Sequence, residues 1–453
     1  MIDWSREKAA MEAGFGHFSP LFVASYNICY VKLCIRGAFP ARIRSAEPAD
    51  IFHAADLNPC ESSFAIICIM IYLDNNATTP LAPEVFQAME PFLTSIYGNP
   101  SSTHPLGQQA KQGVEHARYR VAELLGCKPS EIVFTSGGTE ADNAAIHGTL
   151  LARQDRRTIV ASSVEHSAVR ETLHGLGRRG YRIVEVAVDR LGRLDLDQLA
   201  DALRIPDVAL ASVMWANNET GILFDIPHIA AMCREARVPL HVDAVQAAGK
   251  IPISLADLPI DYLSISAHKF QGPKGIGALY IRRNARWMPM ITGGPQERDR
   301  RGGTENVAGI VGMGRAAELA AEKLANPAAL QNIQDLRDAL EQKILQAIPD
   351  VHINGDPVNR IANTSNLGFA GLEAEAILLL LAQHDIYASA GAACSSGSLE
   401  PSPILRAMGI PEPIAHGSVR FSLSSLNTHA EIDQVVDRLS DIIATLRETL
   451  PVV

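Results

Sequence analysis

Seven short β-rich runs between residues 131 and 281 alternate with stretches of helical character, and this alternation limits the fold more than any other feature. The runs cover 131–135, 158–162, 182–187, 209–215, 240–243, 262–266 and 277–281, and residues 195–203 and 226–235 read as helices between them. Strands alternating with helices predict a mostly parallel sheet covered on both faces. In such sheets sites gather beyond the carboxyl ends of the strands, so the residues just after each run are the ones to inspect.

A second unit follows from about 330. Residues 373–383 are a strongly apolar helix candidate and 419–422 a strand. Thr428-His-Ala-Glu431 has the spacing of a capping box, which opens a final helix to about residue 450. At 453 residues the chain has room for two or three domains. The expected division is a large domain over 70–330, whose N-terminal segment contributes to the small domain, and a small one over 331–453 that carries the Cys394 loop. Residues 1–69 read differently: cysteines and aromatics are dense, turn signals irregular, and no long amphipathic period is visible. The expectation is that the functional protein begins near Met70, with 1–69 a poorly ordered extension or an upstream-start artefact.

The net charge of −10 and pI of about 5.8 disfavour nucleic acid or an anionic membrane as the main partner, since both call for a basic face. No apolar run reaches the ~18 residues that span a bilayer. Seven cysteines without a CxxC pair give no zinc pattern and suit a reducing cytoplasm.

Six constellations carry chemistry. In Phe134-Thr-Ser-Gly-Gly-Thr-Glu140 a β-run enters a glycine turn and leaves as a helix, so Gly138 and Thr139 offer unpaired N–H groups to a phosphate. Lys269 ends the apolar run Ser264-Ile-Ser-Ala-His-Lys269, where burial of a cation is costly and Schiff-base chemistry is favoured. Ser266 and His268 beside it have further phosphate donors. Asp243 ends a run upstream of that lysine and suits either a pyridinium nitrogen or a helix N-cap. His166, just past the 158–162 run, can stack on a flat ring and shuttle protons. Cys394 stands among small residues in Ser389-Ala-Gly-Ala-Ala-Cys-Ser-Ser-Gly397, the exposed setting that a reactive thiol needs. Arg420 alternates with apolar neighbours and requires an anionic partner, either a substrate carboxylate or a structural salt bridge.

Together with Tyr72-Leu-Asp-Asn-Asn-Ala-Thr-Thr-Pro80, Tyr97-Gly-Asn-Pro-Ser-Ser-Thr-His104, Asn217-Asn-Glu-Thr-Gly221 and Arg301-Gly-Gly-Thr-Glu-Asn306, these segments resemble the NifS/IscS-type cysteine desulfurases. The likeness runs from residue 72 to about 450. It implies an α/β fold of pyridoxal-5′-phosphate (PLP) fold type I, aspartate-aminotransferase-like. Such a fold has a mostly parallel seven-stranded sheet in the large domain and a smaller α+β C-terminal domain. It also implies roles. Lys269 would hold PLP and later move the Cα proton. Asp243 would pair with the ring nitrogen and Gln246 with the ring hydroxyl, while His166 stacks and Asn218 lies alongside. Gly138, Thr139, Ser266 and His268 would hold the phosphate, with Thr304 reaching it from the other subunit of a homodimer. Arg420 and Asn99 would take the carboxylate of L-cysteine. Cys394 would accept the sulfur as a persulfide, leaving L-alanine.

Ser398-Leu-Glu-Pro-Ser402 looks like the long-loop group rather than the sulfur-mobilising group with a shorter loop, while Val213-Met-Trp-Ala-Asn-Asn218 and Phe421-Ser-Leu-Ser424 look more like the nitrogen-fixation type than the housekeeping type. That implies sulfur supply for nitrogenase iron–sulfur clusters and a scaffold acceptor of the NifU kind. Competing readings are a selenocysteine lyase or other PLP lyase, an aminotransferase, and a catalytically idle assembly protein. Cys394 argues against the first two, and the joint presence of Lys269, Asp243, His166 and Arg420 against the last.

Overall fold

The computed structural model describes residues 70–390 and 400–449. The expected extension 1–69 and the loop with Cys394 lie outside the described residues.

The described residues open on a short strand, β1 (Ile71–Tyr72), and reach the main sheet at β2 (Ile132–Thr135). There follow β3 (Thr158–Ser162), β4 (Arg182–Val186), β5 (Val208–Met214), β6 (Leu240–Asp243), β7 (Tyr262–Ser266) and β8 (Gly277–Ile281). All seven expected runs are strands of one sheet, ordered β2-β8-β7-β6-β5-β3-β4. From β4 to β7 every pairing is parallel, and β8 runs antiparallel to both its neighbours. Helices Gly138–Ala152, Ser167–Gly177, Leu196–Leu203 and Ile226–Glu235 alternate with the strands.

The strands read as continuous apolar runs because both faces are covered. Every residue of β3, β5, β6, β7 and β8 is buried. On β3, Val160 joins the core on one side and Ile159 and Ala161 the core on the other, as the two-residue side-chain period requires.

The smaller C-terminal domain holds β9 (Val351–Ile353), β10 (Thr364–Phe369), β11 (Ile386–Tyr387), β12 (Ser389–Ala390) and β13 (Ser418–Ser422). β12, β13, β10 and β9 form an antiparallel sheet. Helices Pro327–Ala347, Ala374–Ala382 and His429–Thr449 supply its core through Leu340, Ile377 and Leu439. The last helix opens on a reciprocal capping box. Glu431 N donates to Thr428 Oγ1 at 3.2 Å, and Thr428 N to Glu431 Oε2 at 2.8 Å. β1 pairs in parallel with β11, so Ile71 and Leu73 sit in this C-terminal core although they begin the described chain.

One turn runs against the right-handed preference of L-residues. Glu297, Arg298 and Asp299 have φ of 48°, 60° and 63°, a conformation costing roughly 1–2 kcal/mol per residue. It is held by a buried carboxylate. Glu297 accepts from both terminal nitrogens of Arg118 at 2.8 and 2.7 Å and from Phe134 N at 2.9 Å. The turn leads directly into the 301–306 loop. Glu297→Ala removes the buried carboxylate from Arg118, leaving it the half-exposed Glu115 and the Ile132 carbonyl, and should destabilise the protein by about 3–5 kcal/mol. Chemical denaturation checks this, and a loss below about 1 kcal/mol would show that the turn does not depend on the pair.

Candidate active site

The sheet delivers its residues to one place. β5 ends at Met214, β6 at Asp243 and β7 at Ser266, and beyond these carboxyl ends lies a cavity of about 280 Å³. Its wall includes Gly138, Thr139, His166, Asn218, Asp243, Gln246, Ser266, His268, Lys269 and Arg420. Ten of the sequence-derived site residues are thus brought together from segments up to 282 positions apart. Three are not. Asn99 is exposed and accepts a bond from Ser101 N at 2.9 Å within its own turn, away from the cavity wall. Thr304 is exposed and borders a separate cleft of about 150 Å³. Cys394 lies outside the described residues.

Lys269 follows β7 in a short 3₁₀ turn, and its Nζ donates to the carbonyls of Asn76 and Ala77 at 2.6 and 2.9 Å. Burial, then the charges of Lys269 and Lys274, push the neighbouring His268 down to about 4. His268 is therefore neutral at physiological pH and can donate from one ring nitrogen. His166 caps the helix Ser167–Gly177 by accepting Ala168 N at Nδ1, 3.1 Å away. That bond leaves the ring proton to Nε2 when the imidazole is neutral.

A second hollow of about 380 Å³ shares Gly138, Thr139, Ser266 and His268 with the first, at the N-terminus of the helix Gly138–Ala152. A Cβ on Gly138 would stand 2.7 Å from Val245 Cγ2, so only glycine lets the backbone line this hollow. Glu140 is tied to Arg301 at 2.9 and 3.2 Å and accepts Ser136 N.

Asp243 and Asp142 line the first cavity, and the buried Glu165 lies near them. Burial pushes Asp243 up to about 6, and the charge of Asp142 adds to this. Burial also pushes Glu165 well above the carboxylate range, against bonds from Ser162 and Met214 N. Three buried acids call for a positive partner beside them, and a pyridinium N–H is one. With the glycine-lined hollow at a helix N-terminus and a lysine between, the donor set fits PLP.

Arg420 is 2 % exposed. It bonds Asp74 Oδ1 at 2.6 Å and Asn218 O at 3.0 Å, while its Nε has no hydrogen-bond partner among the described residues. Both anionic partners raised by the sequence are therefore available to it: a salt bridge exists, and the guanidinium still faces the cavity. Asp243 itself accepts Val245 N at 2.9 Å, a turn bond of the kind its N-cap reading implied.

The family model of class-V aminotransferases matches residues 71–435. The chain is 51% identical over 382 residues to a cysteine desulfurase of Trichormus azollae, covering 84% of this chain and 95% of that one. It is 49% identical over 382 residues to the cysteine desulfurase NifS of Azotobacter vinelandii, covering 84% and 94%. The chain belongs to the class-V aminotransferase family, among its cysteine desulfurases. Among solved structures, a NifS-like protein superimposes with a TM-score of 0.78 at 37% identity, covering 83% of this chain and all of that one. SspA, solved in complex with cysteine, gives 0.70 at 33% identity, covering 79% and 100%. Class-V aminotransferases and cysteine desulfurases are in general PLP enzymes, which agrees with the donor set.

The sequence reading gave no role to two residues of this desulfurase that the structure puts at its centre. Asn76 is 1 % exposed and bonds Lys269 and Gln246 through its carbonyl. Lys250 donates from Nζ to Asn76 Oδ1 and Gln246 Oε1. The polar run Asp74-Asn75-Asn76 directly after the apolar run 71–73 was a visible signal for Asn76. A lysine after a glycine gave none for Lys250.

The raised Asp243 acid fixes a sign. Its stabilising contribution is present in full below about pH 4 and is lost as pH rises through 6. Asp243→Asn should therefore make the cofactor-free protein more stable than its parent above pH 6, by on the order of 1–3 kcal/mol. The gap should close below pH 4. Urea denaturation at pH 4 and pH 7.5 tests this, and an equal difference at both would refute it.

Proposed function

We propose that this cysteine desulfurase holds PLP in the cavity at the ends of β5, β6 and β7 and passes the sulfur of free L-cysteine to its own Cys394. The observation that carries the reading is the meeting, in one cavity, of Lys269, the raised Asp243 and the glycine-lined hollow beside Thr139, Ser266 and His268. Lys269 would hold the cofactor through its amine. Gly138, Thr139, Ser266 and His268 would hold the phosphate, Asp243 the ring nitrogen, Gln246 the ring oxygen, and His166 the ring face with Asn218 alongside.

When bound, PLP supplies an electron sink that makes the Cα–H of an amino acid acidic. Arg420 takes the substrate carboxylate and sets that Cα–H toward Lys269, whose amine removes the proton. The Cys394 thiolate attacks the substrate sulfur. The S–Cβ bond breaks with its electrons going to the organic fragment, which takes up protons and leaves as L-alanine. Cys394 keeps the sulfur as a persulfide.

We propose further that the enzyme is a cytoplasmic homodimer, with Thr304 reaching the phosphate bound in the second subunit. Exposed Phe86, Leu93 and Tyr97 support an apolar contact between copies. The acceptor is proposed to be an iron–sulfur scaffold of the NifU kind in nitrogenase assembly, supported by the patterns at 213–218 and 421–424 and the likeness to NifS.

Alanine and sulfide release from L-cysteine, with reductant and PLP, tests the sulfur route. The parent should release both, and Cys394→Ala should lose at least about 100-fold in rate. Equal release by both proteins would remove the persulfide role and indicate a lyase that expels sulfur or selenium directly.

A further inference from the structure

A buried lysine bonded to the cavity residue Gln246 has no part in the chemistry above. Lys250 stands one turn after Gln246. Its Nζ is 2.6 Å from Gln246 Oε1 and 2.7 Å from Asn76 Oδ1, so both its partners are neutral amide oxygens. Burial pushes its ammonium well below the usual lysine range, and the charges facing it, Lys269, Arg420 and Lys323, push the same way. Keeping a cation among cations without a carboxylate partner is unfavourable, and the two hydrogen bonds are what the position gains.

The geometry decides which way the Gln246 amide points. The Asn76 main-chain oxygen can only accept, so the Gln246 atom 2.8 Å from it is the amide nitrogen. The opposite end, toward Lys250, is then the oxygen, and Lys250 occupies it. Gln246 lines the cavity, and beyond its bond to Asn76 O its Nε2 keeps a second N–H.

We propose that Lys250 is a positioning residue that locks Gln246 as a hydrogen-bond donor toward the ring oxygen of PLP, which keeps that oxygen ionised. Asn76 extends the lock to the catalytic amine, because the same carbonyl that orients Gln246 also accepts from Lys269 Nζ at 2.6 Å. The inference rests on the placement of Gln246 beside the ring oxygen.

The test uses holoenzyme reconstituted with PLP and reads the pH midpoint of its visible absorption band, together with PLP retained on dialysis. A donor to an ionised ring oxygen lowers that midpoint. Lys250→Met should raise it by about one unit, a tenfold gain in proton affinity. Gln246→Leu should raise it at least as far. The double variant should go no further than Gln246→Leu, because Lys250 acts through that amide. Lys250→Gln keeps a donor without the charge and should stay within about 0.3 unit of the parent; this variant carries the test if Lys250→Met does not fold. An unmoved midpoint in Lys250→Met, additive shifts in the double variant, or a one-unit shift in Lys250→Gln overturns the proposal. An unmoved midpoint in Gln246→Leu instead overturns the placement of Gln246 on which it rests.

Discussion

The backbone and side chain of Asn76 carry the bonds on which the site depends. Its N–H donates to Ser422 Oγ on β13, and its Nδ2 donates to Thr364 Oγ1 on β10 and to Asn218 O. Its carbonyl receives Lys269 and Gln246, and its Oδ1 receives Lys250 and Asn363. The first set belongs largely to the C-terminal sheet and the second largely to the large domain. Three residues on, Thr79 continues the bridge by bonding His268 O through both N and Oγ1, and Gln271 N returns to Thr79 Oγ1. The segment 74–79 thus fastens the turn carrying Lys269 to the strand carrying Arg420. Each buried polar group left unpaired would cost about 1–3 kcal/mol, so the segment has little freedom to shift.

Beneath that bridge the site is electrostatically unfinished. Asp142, Glu165 and Asp243 lie buried at the cavity, and His241 ties Asp142 to Ser212 and Ser264. Lys269 and Arg420 line the same cavity, and Lys250 lies near both. Acids and cations around one cavity suit a flat group with a protonatable nitrogen and oxygen anions. The buried acids and the glycine-lined hollow are therefore parts of one recognition surface, with Lys269 between them.

The strands were legible because their signal is local. A sheet covered on both faces demands unbroken apolar runs, and 158–162, 240–243, 262–266 and 277–281 show this directly. The capping box at Thr428 and Glu431 is equally local. Of the site, Lys269, Asp243, His166 and Gly138 were legible because each ends or follows a strand, where the fold class already directs attention. The role of Lys250 was not, because it depends on Asn76, 174 residues away, and that of Asn76 was not, because its partners lie far along the chain on several elements. Asn99 shows the reverse. Its motif matched, but in this chain the side chain is used in its own turn and is exposed to solvent.

By itself the sequence determined the order of strands and helices, the double-covered sheet, and which residues stand at the strand ends, since period, capping and turn chemistry act over a few residues. Only the tertiary structure decided that residues 74–79 clamp the lysine turn. It alone decided that Arg420 meets Asp74, that three buried acids meet at one cavity, and that a lysine orients Gln246. Those outcomes come from burial and hydrogen-bond satisfaction among groups remote in the chain, which no local pattern encodes.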